Sequence, residues 1–268
     1  MTRRSEFLAR QAALVEESVV EVGGDAVRLY FAGYAPGAAV LLLTGPGRGV
    51  RADTALLLPM LARRHRVAAL ELGDLVDPWR DGPAAVSAAL DALGAAEAVV
   101  VGHSLGAAVA LASADDPRVT ALALVAGWLR PTERLIAVAR LWAGHPEARR
   151  DLARVLAVRS PADDGASPWN DDDATAALVA AAARADAAGP ASRLRLPALV
   201  VGCSADTVVG VEGAEALLGA IDDARYAVVE SGHAVLAERP AELLAVLEHF
   251  LADPRRDPAG SVLPRMRV

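Results

Sequence analysis

Short runs of consecutive apolar residues alternate along this chain with longer segments of helical pattern, and this alternation limits the folds that are open to it. Eight of the runs are predicted to be strands: Ser18–Val22, Val27–Tyr30, Val40–Leu43, Val67–Leu70, Ala98–Val101, Thr120–Val125, Ala198–Gly202 and Tyr226–Val229. The first two flank Gly23-Gly24-Asp25, which is typical of a hairpin turn. The later runs have the continuous apolar character of strands that are covered on both faces of a parallel sheet.

Helical patterns separate the later strands. The predicted helices are Thr54–Arg64, Gly82–Leu93, Leu105–Ala114, Gly213–Ala220 and Ala241–Leu251. An opening hairpin followed by strand–helix alternation predicts an α/β fold, with a doubly wound, mostly parallel sheet of eight strands and helices on both faces. In such a sheet, functional residues gather beyond the carboxyl ends of the strands.

The alternation is interrupted once, between Gly127 and Pro197. This interval is helical without strands, with predicted helices at Pro131–Trp142, Pro146–Val158 and Asp171–Ala188 and an irregular hinge from Pro161 to Trp169. An insertion of about 70 residues between two strands of one sheet predicts a helical lid after strand six rather than a loop.

We therefore divide the chain into three parts. Residues 1–127 and 197–252 form the predicted core, residues 128–196 the lid, and residues 253–268 a tail with three Pro, four Arg and no periodicity. A flexible tail is the first expectation, and a tail docked on the core is the alternative.

Composition excludes several functional classes. The chain has 54% hydrophobic residues, which argues against disorder, and a net charge of −7, which argues against binding to nucleic acid. No apolar run approaches 18 residues, and no apolar segment follows the N-terminal arginines, so neither a membrane span nor a signal peptide is expected. The single cysteine, Cys203, excludes a disulfide framework. We expect a cytoplasmic protein without a metal site or cofactor.

The motif Gly102-His103-Ser104-Leu105-Gly106 lies directly between the strand Ala98–Val101 and the helix Leu105–Ala114. A strand that turns sharply into a helix holds the serine in a strained conformation with its hydroxyl presented, and small residues two positions away on each side avoid clashes. The helix start also directs the backbone N–H of Leu105 at negative charge beside the serine. Ser104 is therefore a candidate nucleophile and Leu105 a candidate oxyanion donor, with a passive structural turn as the alternative.

A serine hydroxyl needs a base, and that base needs an acceptor to fix its tautomer. His233 follows the buried strand Tyr226–Val229, and Asp206 follows Ala198–Gly202, both at the carboxyl edge where Ser104 lies. The other histidines are less suitably placed: His65 at a solvated helix end, His103 pointing away from the serine, His145 in the lid and His249 on the last helix. Asp206 as an ordinary loop cap is the alternative to its role as acceptor.

These residues make the chain resemble the α/β-hydrolases, specifically single-domain serine hydrolases with a lid. The resemblance spans roughly Ser18 to Leu251 and is carried by Gly-His-Ser-Leu-Gly, by Asp206, and by Gly232-His233 with Glu238 and Pro240 behind it. The order Ser104, Asp206, His233 is the one that this family has. The resemblance implies a Ser-His-Asp triad and identifies the fold better than the substrate.

The loop after the third strand departs from the family pattern. Members usually have His-Gly-x there, and the N–H of x helps to hold the oxyanion, whereas here the loop is Thr44-Gly45-Pro46-Gly47. If Thr44-Gly45 matches His-Gly, position x is Pro46, which has no N–H. If the loop matches the variant His-Gly-Gly-Pro-Gly, Gly45 is the donor. We favour Gly45 because this alignment keeps a donor.

Substrate-binding residues are predicted around the lid. Trp128, Trp142 and Trp169 lie in or beside it, which indicates either an apolar acyl or ring pocket or packing of the lid on the core. Arg48, beside the oxyanion loop, is suited to an acidic substrate group or is simply solvated. We predict that Trp128, Trp142, Pro46 and Arg48 bind substrate.

Together these features predict a serine hydrolase that cleaves an ester, thioester or related acyl bond of a small molecule through an acyl-enzyme. Two alternatives remain open. One is a non-hydrolytic biosynthetic enzyme, such as a cyclase, lyase or acyl transferase, which the unusual Thr-Gly-Pro loop favours. The other is a ligand-binding receptor of low turnover on a hydrolase fold.

Overall fold

A computed structural model describes residues 13–33, 37–158 and 167–265, together with Glu6 and Gln11. Its strands are β1 Glu16–Val22, β2 Asp25–Ala32, β3 Ala39–Leu43, β4 Val67–Leu70, β5 Ala98–His103, β6 Val119–Val125, β7 Ala198–Cys203 and β8 Ala224–Val229. They form one eight-stranded sheet in the order β1-β2-β4-β3-β5-β6-β7-β8. The predicted fold class, a mostly parallel α/β sheet of eight strands, is confirmed.

The sheet begins antiparallel and then becomes parallel. β1 pairs with β2 across the Gly23-Gly24 turn, in which both glycines have positive φ, as a tight hairpin turn requires. β2 is also antiparallel to β4, while the pairs from β4 through β3, β5, β6 and β7 to β8 are all parallel. The carboxyl ends of β3, β5, β7 and β8 therefore lie at one edge of the sheet.

Eleven α-helices accompany the sheet within the described ranges. They are α1 Val50–Asp53, α2 Leu57–Leu61, α3 Pro78–Ala92, α4 Leu105–Ala112, α5 Glu133–Gly144, α6 Arg149–Leu156, α7 Asp173–Ala182, α8 Ala188–Arg193, α9 Val211–Ala220, α10 Val235–Glu238 and α11 Pro240–Ala252. In the part of the chain that the structure describes, none of them combines the length and apolar character needed to cross a membrane.

Of the predicted helix Thr54–Arg64, only Leu57–Leu61 is helical, as α2, while residues 54–56 form a turn that joins it to the preceding short helix α1. The hydroxyl of Thr54 donates to the Val50 carbonyl at 2.7 Å, at the end of α1. Pro59 has no N–H to give to a preceding turn, so it fits only near the start of a helix, and it lies in the first turn of α2. One continuous helix through Pro59 would lose that hydrogen bond.

Alternating side chains of the strands supply two apolar cores, one on each face of the sheet. In β3, Leu41 and Leu43 belong to one core, and Val40 and Leu42 belong to the other. The first core includes α3, α4, α9 and the helices between β6 and β7, and the second includes α2 and α11. Burial on both faces explains the continuous apolar runs of the central strands.

Helices α5 to α8 lie between β6 and β7, in the interval where the sequence predicts a lid. Asp172 caps the N-terminus of α7 by accepting a hydrogen bond from the Thr175 N–H at 2.8 Å. Most of the predicted hinge, residues 161–166, lies outside the described residues.

Residues 253–265 follow the docked alternative for the tail and not the flexible one. The backbone of this segment pairs with the edge strand β8, with Tyr226 donating to the Ser261 carbonyl at 2.8 Å and Leu263 donating to the Tyr226 carbonyl at 2.7 Å. The guanidinium of the buried Arg225 donates to the Asp257 carbonyl at 2.7 Å. An edge strand has unpaired backbone groups, and this segment satisfies some of them.

Candidate active site

The turn between β5 and α4 holds Ser104 in a strained backbone conformation, with φ 57° and ψ −123°. Two glycines make this turn possible. A Cβ on Gly102 would lie 2.2 Å from the Gly106 carbonyl oxygen, and a Cβ on Gly106 would lie 2.4 Å from the Leu43 carbonyl oxygen. The spacing seen in the sequence is thus a steric requirement, because strand, turn and helix approach too closely for side chains at those positions.

The structure brings together Ser104, His233 and Asp206, which follow β5, β8 and β7. Nε2 of His233 lies 2.8 Å from Oγ of Ser104, and Nδ1 of His233 lies 2.8 Å from Oδ2 of Asp206. With the hydroxyl donating to Nε2 and the Nδ1–H donating to the carboxylate, the two hydrogen bonds are oriented to move a proton away from Ser104.

Asp206 is held as an anion at the end of this chain of hydrogen bonds. Burial favours its neutral form, but the charge and hydrogen bond of His233 outweigh burial and lower the pKa of Asp206. The backbone N–H groups of Val208 and Val209 also donate to its Oδ1, at 2.8 and 2.9 Å. The carboxylate therefore has one oxygen fixed by the backbone and the other free to orient His233.

His103, which the sequence analysis set aside, contacts the backbone of His233. Its Nε2–H donates to the backbone carbonyl of His233 at 2.8 Å. Burial, together with the neighbouring His233, lowers the pKa of His103 to about 3, so this imidazole is neutral. His103 thereby joins the turn that carries Ser104 to the loop that carries His233.

Gly45 lies directly against the serine. A Cβ at this position would be 2.8 Å from Cβ of Ser104 and 2.9 Å from both its Oγ and the Leu105 nitrogen. Leu105 is the first residue of α4, so its N–H has no carbonyl partner within the helix. This proximity favours the alignment in which Gly45 and Leu105, and not Pro46, surround an oxyanion.

Two buried carboxylates support the loop that contains Gly45. Asp53 accepts from the backbone N–H of Arg48 at 3.0 Å, and Glu71 accepts from that of Val50 at 2.8 Å. Burial raises the pKa of Asp53 to about 6 in spite of the nearby Arg48 guanidinium. The sequence analysis did not identify either acid: Glu71 is 21 residues from Val50, and the contact of Asp53 with Arg48, although local, has no recognisable motif.

The three tryptophans occupy different positions. Trp128 is fully buried, and its Nε1 donates to the Ala185 carbonyl at 2.9 Å, so it packs the insertion on the core. Trp142 stacks edge-on against Trp169 with ring centroids 5.3 Å apart, and Trp169 lies 6.1 Å from the ring of His233. Trp169, which was not among the predicted substrate-binding residues, is therefore closer to the candidate triad than Trp128.

The site is closed in this structure. Ser104 and His233 are each only 1% exposed. The backbone N–H of Asn170 donates to the Gly47 carbonyl at 2.8 Å, which joins the insertion to the oxyanion loop next to Trp169. Pro46 lines a small void of about 10 Å³ beside Trp169, and Arg48 lines a separate cavity of about 560 Å³.

Comparisons with known proteins agree with this architecture. A family model described as the alpha/beta hydrolase family matches residues 23–246. Among solved structures, a bacterial membrane phospholipase A is 22% identical with a TM-score of 0.76, covering 94% of this chain and 93% of that chain. The enol-lactonase from Burkholderia xenovorans LB400 is 18% identical with a TM-score of 0.69, covering 88% and 100%.

An esterase from Thermogutta terrifontis is 19% identical with a TM-score of 0.68, covering 89% of this chain and 99% of that chain. A comparison with curated protein sequences gives no match. At such identities the structural neighbours demonstrate the shared fold alone.

The steric account of the turn predicts that Gly102→Ala destabilises the protein by about 2 kcal/mol or more, because the new Cβ overlaps the Gly106 backbone. Gly219→Ala is the control, since a Cβ there has nothing within 4 Å and alanine favours a helix by up to about 1 kcal/mol. Urea unfolding of both variants measures the difference. Equal stability of the two would contradict the steric account.

The buried neutral His103 predicts a loss of stability in acid. The unfolded chain takes up a proton at this imidazole below pH 6.5, whereas burial delays protonation of the folded state to about pH 3. The free energy of unfolding therefore falls as pH decreases through this window. At full effect the loss is about 1.4 kcal/mol for each unit by which the pKa of His103 differs between the unfolded and folded states. His103→Gln, which keeps a donor for the His233 carbonyl, should flatten the profile measured by urea unfolding between pH 7 and 4.5.

His145→Gln is the control for this measurement because His145 is an exposed histidine in the insertion. It should leave the dependence of unfolding free energy on pH as in the native protein. A profile for His103→Gln as steep as that of His145→Gln would contradict the assignment of the acid sensitivity to His103.

Proposed function

Because the chain belongs to the alpha/beta hydrolase family, we propose that it is a serine hydrolase that cleaves the ester, thioester or related acyl bond of a small molecule. The observation that carries the proposal is the pair of 2.8 Å contacts that joins Ser104 to His233 and His233 to Asp206. A hydroxyl, an imidazole and a buried carboxylate in this order are the parts needed to activate a serine.

In the proposed reaction, Oγ of Ser104 attacks the acyl carbonyl while Nε2 of His233 takes the hydroxyl proton. Asp206 holds the other ring nitrogen and stabilises the imidazolium that forms. The imidazolium then gives its proton to the leaving alcohol or thiol, and an acyl-enzyme remains on Ser104. Water attacks this ester with His233 again acting as base, which releases the acid and restores the hydroxyl.

The negative oxygen of each tetrahedral intermediate is assigned to the backbone N–H groups of Leu105 and Gly45. A Cβ on Gly45 would lie 2.9 Å from both Oγ of Ser104 and the Leu105 nitrogen, and this nearness of Gly45 supports the assignment. Losing one such donor typically costs about 10²–10³ in rate. The alternative of a cyclase or lyase rested on the absence of an N–H at Pro46. Because Gly45 lies against Ser104 and has an N–H, that argument is weaker.

We infer the substrate class from the candidate triad and from analogy with the structural neighbours. An esterase, an enol-lactonase and a phospholipase A are among the proteins with this fold, and all three names describe enzymes that act on esters. We assign this chain to the same chemistry, acting on a small acyl compound, without a metal or cofactor in the reaction.

The insertion, residues 128–196, acts in this proposal as a lid over the serine. The near-complete burial of Ser104, the ring of Trp169 beside His233 and the bond from Asn170 to Gly47 support a closed state. Closure excludes water from the site and strengthens the electrostatic interactions within it. Substrate reaches Ser104 when the segment around Trp169 moves away.

Ser104→Ala tests the nucleophile. The native protein should react covalently with a fluorophosphonate probe and turn over a graded series of acyl esters and thioesters, and Ser104→Ala should do neither, with kcat lower by about 10⁵-fold or more. Ser113→Ala is the control, because Ser113 is a second buried serine at the end of α4, whose hydroxyl donates to the Val109 carbonyl. A folded native protein that neither labels nor hydrolyses any ester would contradict the proposal, and labelling without deacylation would favour the receptor.

Trp169→Ala tests the lid. Removing the indole beside His233 should raise the rate of labelling by a large fluorophosphonate severalfold, because the reagent no longer waits for the segment to open. Trp79→Ala is the control, as Trp79 packs against the core outside the insertion. Unchanged labelling kinetics in Trp169→Ala would show that this ring does not limit access.

A further inference from the structure

The cavity of about 560 Å³ next to the oxyanion loop is not used by the proposed reaction. It is lined by residues of β1 and β2, of the loops after β3 and β4, and of the start of α7, including Arg48, Arg51, Tyr30 and Thr175. We propose that this cavity binds a carboxylate at the far end of the substrate's acyl chain through Arg48 and Arg51. This inference rests on the proposed function and makes it specific for monoesters or monothioesters of dicarboxylic acids.

Position is the first support. Gly47 lines the cavity, and Gly45, two residues earlier, lies against Oγ of Ser104. Two residues of extended chain span at most about 7 Å, so the cavity begins within a short acyl chain of the reacting carbonyl. The hydrogen bond from the Asn170 N–H to the Gly47 carbonyl lies between the cavity and the serine, and it breaks when the segment around Trp169 moves.

Two of the acids that line the cavity, Glu71 and Asp172, accept hydrogen bonds from the backbone, and a third, Glu17, is half-exposed. Both oxygens of Glu71 accept backbone hydrogen bonds, from Val50 at 2.8 Å and from Gly73 at 3.4 Å. Asp172 accepts from Thr175 at the start of α7. The carboxylates of Glu71 and Asp172 stabilise the walls and are poorly placed to bind a cation or to neutralise an arginine in the cavity.

The arginines differ in how well they are satisfied. The guanidinium of Arg28 forms a bidentate pair with the Asp74 carboxylate, at 2.9 and 2.7 Å, and therefore already has a protein partner. Among the residues that the structure describes, the guanidinium of Arg48 makes only long contacts, 3.4 Å to Asp53 and 3.4 Å to the Ala52 carbonyl. Arg51 lies 3.6 Å from the half-exposed Glu17 and 5.7 Å from the centre of the Tyr30 ring.

Within the described residues, Arg48 and Arg51 are thus less fully paired than Arg28. Guanidinium groups present planar pairs of N–H donors that match a carboxylate, and such bonds are strong where water is partly excluded. A carboxylate on the substrate is the group that completes this arrangement.

The test compares esters of equal chain length with and without the terminal acid. Mono-4-nitrophenyl adipate is paired with 4-nitrophenyl hexanoate, and mono-4-nitrophenyl suberate with 4-nitrophenyl octanoate. The native protein should prefer the acidic member of at least one pair by tenfold or more in kcat/KM. Arg51→Gln should reduce that ratio about tenfold, mainly through KM, and Arg51→Lys should restore part of it.

Arg51 is the primary variant because Arg48→Gln also removes the cation beside the buried Asp53. Arg130→Gln, an exposed arginine paired at 3.6 Å with Asp186, is the surface control and should keep the native ratio. A ratio near one in the native protein, or a ratio unaffected by Arg51→Gln, overturns the carboxylate site while ester hydrolysis stands. No labelling and no turnover of either ester overturns the proposed function instead.

Binding measured by calorimetry gives a readout that does not depend on turnover. Adipate should bind the native protein and bind Arg51→Gln about tenfold more weakly. Inorganic phosphate at the same ionic strength is the reference anion, and equal binding of phosphate would overturn the assignment of the site to a carboxylate.

Discussion

The close contact of strand, turn and helix around Ser104 is the constraint on which the rest of the site depends. Ser104 has a backbone conformation that non-glycine residues rarely adopt, and such a conformation costs on the order of 1–3 kcal/mol. It persists because β5 lies between β3 and β6 in a sheet that is buried on both faces, and because Gly102 and Gly106 leave room for the turn. The hydroxyl, the Leu105 N–H and Gly45 are consequently brought to one point.

Side chains around Ser104 fix the surrounding loops through hydrogen bonds to backbone groups. His103 reaches from the turn to the carbonyl of His233, and Asp206 is fixed by two N–H groups of its own loop. Asp53 and Glu71 hold the oxyanion loop from a different side. Each of these side chains is buried, where a hydrogen bond is costly to lose, so these bonds restrain the loops to the positions at which the partners meet.

Much of this arrangement could be predicted because it is local. The eight strands follow from apolar runs, and the turn at Ser104 follows from the spacing of two glycines. Asp206 and His233 could be selected because each follows a buried parallel strand, and such strands end at one edge. The shortening of the predicted helix Thr54–Arg64 to Leu57–Leu61 is also a local effect, since Pro59 limits where a helix can begin.

Other features depend on contacts between distant segments and have no local signal. The bonds from His103 to His233, from Val50 to Glu71 and from Tyr226 to Ser261 join residues whose proximity is created by the fold. The choice between Trp128 and Trp169 as the tryptophan near the triad is of the same kind. A buried polar or aromatic residue shows its partner only once the chain is folded.

The sequence by itself determined the α/β sheet, the strained turn at Ser104 and the order of the candidate catalytic residues, because periodicity and glycine spacing act over a few neighbouring residues. Only the tertiary structure decided which arginines are already satisfied, which ring covers His233 and how the tail lies on β8. Those outcomes depend on distances of about 3 Å between segments far apart in the chain, and packing of the whole sheet sets these distances.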